Sequence, residues 1–113
     1  MPYEPVYERF EVVGQDGRRR TVGFRKAGFL VAGEQPELYF FAVNGEEAVV
    51  GLSGEALRQF QQGRRYLSRE EKIDLAGCFL KRVLEAGKPL VSENLYIRGG
   101  ALEELTKDLG ILP

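Results

Sequence analysis

Histidine and tryptophan are absent from the 113 residues, and cysteine and methionine occur once each. Without histidine the chain lacks the side chain whose ordinary pKa lies nearest neutrality, so Ser-His and Cys-His nucleophile systems are excluded. One cysteine and no histidine cannot assemble a zinc cluster, which leaves only a carboxylate site for a hard cation. Cys78 has no partner for an internal disulfide, and Met1-Pro2-Tyr3-Glu4 has neither the basic start nor the apolar run of a signal peptide. The expectation is a soluble protein of the reducing cytoplasm. Also missing is any apolar run near the roughly twenty residues that cross a bilayer, so no membrane partner is expected. A charge excess is missing too. Sixteen basic and seventeen acidic residues leave a formal charge of −1, and no global field draws the protein to nucleic acid.

What is present is a globular balance, 43% hydrophobic and 29% charged, enough apolar area to order a chain of this length around one core. A single α+β domain is expected over residues 1–113, strand-rich in 1–52 and helix-rich in 53–113. Apolar alternation marks the first half. Val6, Phe10 and Val12 outline a first strand, Asp16-Gly17 is a turn signal, and Arg19 to Lys26 returns with Val22 and Phe24 on one face. Phe29-Leu30-Val31 is apolar, and a loop is expected at 33–36, where Pro36 interrupts any ladder. Leu38 to Val43 and Ala48 to Leu52 flank Asn44-Gly45, a dipeptide that favours a two-residue type I′ hairpin at the centre of the sheet.

In the second half the period becomes helical. Ser53 can cap a helix over 54–62, and Ser68-Arg69-Glu70-Glu71 fits a capping box opening a longer helix that Gly87 and Pro89 end. Ile73, Ala76, Leu80, Val83 and Leu84 form its apolar stripe, widened by Leu75, Cys78 and Phe79. A strand over 91–98 and a last helix over 101–109, with Glu103 and Lys107 as an i,i+4 pair, complete the chain. The expected fold is a mainly antiparallel sheet of four to six strands with two or three helices packed on one face. Tyr39 and Phe41 on one side of the central hairpin and Phe40 and Ala42 on the other make both sheet faces apolar. The face without helices then needs a cover, and pairing of two copies supplies one.

The candidate chemistry is sparse. Cys78 lies on the apolar arc and reads as a core residue. Glu46-Glu47, Glu70-Glu71 and Glu103-Glu104 are adjacent pairs whose side chains diverge, and the two helical pairs complement helix dipoles. An enzyme using only carboxylates, Tyr and Lys would draw first on Glu93 and Tyr96. Arg98-Gly99-Gly100 before a helix could meet an anion but reads as a turn. Arg18, Arg19 and Arg20, with Arg25 and Lys26 and with Arg64 and Arg65, are the candidate anion or nucleic-acid contacts, beside the aromatic run Tyr39-Phe40-Phe41. The leading expectation is a non-catalytic interaction or regulatory module, without cofactor or metal, acting as a homodimer or on another protein. The alternative is a nucleic-acid-binding domain built on those cations.

Overall fold

The computed structural model describes residues 5–29 and 36–111. Four strands run as a meander, β1 (Arg9–Val13), β2 (Arg19–Phe29), β3 (Glu37–Val43) and β4 (Glu46–Leu52). Helices α1 (Gly54–Gln61) and α2 (Arg69–Glu85) follow, then a 3-10 turn at Ser92–Asn94, β5 (Tyr96–Ile97) and α3 (Gly99–Asp108). The sheet order is β1-β2-β3-β4-β5; every pairing is antiparallel except the last, where β5 lies parallel to β4 after the crossover through α1 and α2. This is an α+β fold with β3 at its centre.

Local chemistry accounts for the clearest elements. Asn44 and Gly45 both take positive φ, 49° and 86°, and Val43 pairs with Glu46, as a two-residue type I′ hairpin requires. Ser68 Oγ accepts from the Glu71 amide while the Glu71 carboxylate accepts from the Ser68 amide, closing the capping box at the head of α2. Ser53 Oγ accepts from the Ala56 amide and starts α1. Val22, Phe41, Val50, Leu52 and Ile97 of the sheet meet Ile73, Leu75 and Leu80 of α2 and Leu102 and Leu105 of α3 in one fully buried core. Among the described residues no helix is long and apolar enough to cross a membrane.

The structure departs from the sequence pattern in four places. Val6 is 69% exposed and precedes the first strand, which begins only at Arg9. β2 runs on to Phe29 past a bulge at Phe24–Lys26, which reverses the facing of the residues beyond it. The strand expected over 91–98 shrinks to Tyr96–Ile97, because the Asn94 amide bonds back to Val91 O and its side-chain NH2 donates to Pro89 O, coiling the segment before it can pair. The last helix opens at Gly99, not Ala101, and Glu103 pairs with Arg64 at 3.2 Å rather than with Lys107. Leu30, Val31 and positions 33–35 of the expected loop lie outside the described residues.

Candidate interaction surface

Alternation along β3 and β4 divides their side chains cleanly. Tyr39, Phe41, Val43, Ala48, Val50 and Leu52 are buried under the helices, whereas Leu38, Phe40, Ala42 and Val49 are half-buried on the opposite face. Past the bulge, Lys26 pairs with Phe40 and Gly28 with Leu38, and at the far edge Gly51 pairs with Tyr96. Three adjacent rows therefore cross the outer face, Arg9-Gly23-Ala42-Glu47, Lys26-Phe40-Val49 and Gly28-Leu38-Gly51-Tyr96.

Glycine shapes this surface. A Cβ on Gly28 would lie 3.6 Å from the Phe40 ring, and one on Gly51 would lie about 4 Å from both Leu38 and Tyr96. The large side chains lean over strand positions that carry none, which makes a low apolar carpet instead of a ridged surface. Two cations lie across it. Lys26 Nζ is 4.9 Å from the Phe40 ring centroid, and the Arg98 guanidinium is 5.2 Å from that of Tyr96. Around them, Arg9, Glu11 and Arg19 share the outer face of β1 and β2, Glu47 that of β4, and Arg19 pairs with Glu11 at 3.6 Å.

The basic residues that looked adjacent along the chain are dispersed. Arg19 and Lys26 reach the outer face, while Arg25 is the extra residue of the bulge. Arg18 and Arg20 turn instead into a cleft of about 480 Å³ between the two hairpin turns and the end of α2, which they line with Asn44, Glu46 and Lys88. Arg20 is committed there to Asp16 through two hydrogen bonds of 3.0 and 3.3 Å, and it holds the Asp16 carboxyl down at about 2. Arg64 and Arg65 sit at the other end of α2, a helix about 25 Å long. Arg64 stacks on Phe60 and pairs with Glu103; Arg65 grips Glu71 with both nitrogens at 2.7 and 2.6 Å. The three clusters do not share one surface.

Of the other positions singled out in the sequence, Cys78 is buried and its thiol is pushed up by desolvation, which leaves it unreactive. Glu93 lies in the exposed 3-10 turn, and Tyr96 reaches the outer sheet face under Arg98. Arg98 is the N-cap residue of α3 and its guanidinium turns back to Tyr96. Its place on the sheet face was hidden in the sequence by the contraction of the last strand. No group of three or more acidic, cysteine or histidine residues able to hold a metal occurs among the described residues. The chain matches no family model, and no curated protein or solved structure is significantly similar to it.

Proposed function

We propose that this protein is a non-catalytic interaction module of the cytoplasm whose uncovered sheet face pairs with the same face of a second copy. The apolar carpet of Leu38, Phe40, Ala42, Val49 and Tyr96, with every helix among the described residues packed on the other side of the sheet, is the observation that carries the reading. Its size fits a modest dimer. Five strands about 4.8 Å apart and about 20 Å long project to roughly 400 Å², so a standard interface of about 800 Å² of accessible surface per partner needs the whole face and its charged rim.

The rim is self-complementary. A twofold axis along β3 sets β2 of one copy over β4 of the other, and the row holding Lys26 then lies next to the row holding Glu47 across sheets about 10 Å apart. Each Lys26 meets a Glu47, twice per dimer. Sedimentation of charge-reversal variants tests this arrangement: Lys26→Glu and Glu47→Lys should each shift the population to monomer, and the double variant should restore the dimer. A double variant no better than either single one would refute the pairing.

The cations seated on Phe40 and Tyr96 favour a second reading, a platform for single-stranded nucleic acid with rings for bases and cations for phosphates. It predicts salt-sensitive binding of a labelled oligonucleotide, measured by fluorescence anisotropy and lost in the Lys26→Ala, Arg98→Ala double variant. Absence of binding at low salt removes it.

A further inference from the structure

On the helical side of the sheet, where β3 and α2 both begin, a cavity of about 270 Å³ is lined by Ala27, Glu37, Tyr39, Arg69 and Lys72. Glu37 and Tyr39 stand two apart on one face of β3, and Arg69 and Lys72 three apart on one face of α2, so the four polar groups converge across the sheet–helix gap. Tyr39, only 3% exposed, donates its hydroxyl to Glu37 Oε1 at 2.6 Å, and Lys72 Nζ donates to both Glu37 oxygens at 3.2 Å. The side chains of that ion pair are 19% and 16% exposed. A pair this far from water contributes little net stability, and here it forms part of a cavity wall instead of packing against apolar neighbours.

Glu37 is thus matched by Lys72 and held by Tyr39. Arg69 is not matched: its guanidinium lies 5.6 Å from the Phe24 ring centroid, and it has no carboxylate partner among the described residues. One surplus positive charge with a planar fork of donors therefore faces the cavity. A cavity of this volume admits a small metabolite.

We propose that this cavity binds a small monocarboxylate, its carboxylate held by the Arg69 fork and the remaining N–H of Lys72 and its apolar part against Ala27. A guanidinium fork suits carboxylate and phosphate alike, but only the carboxylate brings an apolar group to lie against Ala27, a contact that phosphate forgoes. The site lies on the opposite side of the sheet from the proposed dimer face and does not depend on it.

Propionate and, separately, inorganic phosphate serve as probes, titrated into the intact chain while the amide and arginine side-chain signals are followed by NMR. Propionate should shift the Arg69 and Ala27 signals saturably and bind more tightly than phosphate. Arg69→Gln, at an exposed position, should keep the amide spectrum and weaken propionate by at least about tenfold, whereas Arg98→Gln on the opposite face should leave it unchanged. Phosphate binding as tightly as propionate, shifts that never saturate, or equal affinity in Arg69→Gln would overturn the proposal. The order of the two anions on the wild-type chain tests it without any variant.

Discussion

Replacing Gly77 by alanine is expected to lower the thermal midpoint by on the order of 10 °C, although the same exchange in an exposed helix interior stabilises by about 1 kcal/mol. Gly77 lies in the middle of α2, where the segment leading into β1 crosses the helix. A Cβ there would drive into the Tyr7 carbonyl oxygen and the Tyr7 Cβ, closer than real contacts allow. Backbone cannot step aside as a flexible side-chain tip can. Tyr7 is also pinned from the next turn, its amide donating at 2.6 Å to Asp74, a carboxylate only 1% exposed. Overpacking of about 3 kcal/mol therefore outweighs the helix-propensity gain. If the crossing segment lifts away instead, the buried Asp74 carboxylate loses that donor, and the sign is the same. Calorimetry of Gly77→Ala decides the matter, and an unchanged or raised midpoint would show that the segment does not hold α2.

Glu71→Ala should cost about 2 kcal/mol, because one carboxylate performs two tasks. It completes the capping box at Ser68, and it receives the Arg65 fork, whose Nη2 also reaches Ile111 O at 3.2 Å. The start of α2, the loop before it and the end of the described chain meet at this side chain. Arg65 first, and the Ser68 amide after it, hold the Glu71 carboxyl below the usual glutamate range against the opposing effect of burial. A carboxyl lowered in the folded state contributes stability that is complete above its unfolded value and lost as pH falls through its folded value. Glu71→Gln keeps the shape and removes the titration. In urea unfolding, the stability gap between wild type and Glu71→Gln should therefore be widest at neutral pH and close on acidification below the ordinary glutamate range. A gap that stays constant with pH would contradict the assignment.

The elements that sequence reading places correctly are those specified within a few residues. Asn44-Gly45 determines its hairpin because positive φ is needed at both positions, and Ser68 with Glu71 determines a helix start because the two groups satisfy each other's amides. Period-2 alternation likewise separates Tyr39 and Phe41 from Phe40 and Ala42. What sequence reading misses depends on competing hydrogen bonds and on distant partners. Val91, Leu95 and Ile97 alternate well enough to suggest a full strand, but the Asn94 bonds to Val91 O and Pro89 O coil the segment, and β5 meets β4 only at Tyr96–Ile97. Glu103 is claimed by Arg64, thirty-nine residues away, before Lys107 can use it. Whether the Arg clusters meet is not encoded in their places along the chain; α2 stands between Arg18 and Arg20 at its end and Arg64 and Arg65 at its start. Lys72, Glu37 and Arg69 carried no local signal, and only the packing of α2 on β3 brings them to one cavity.

Sedimentation velocity of the wild-type chain beside Phe40→Glu tests the central claim most directly. Phe40 is half-buried on the outer face, away from the core, so the variant should fold with the wild-type circular dichroism spectrum. Two copies of the 12.7 kDa chain sedimenting together for the wild type, and a single copy for Phe40→Glu, is the expected result. A wild-type chain that stays monomeric in concentrated solution, or a Phe40→Glu dimer indistinguishable from it, would show that the sheet face is not where this protein meets its partner.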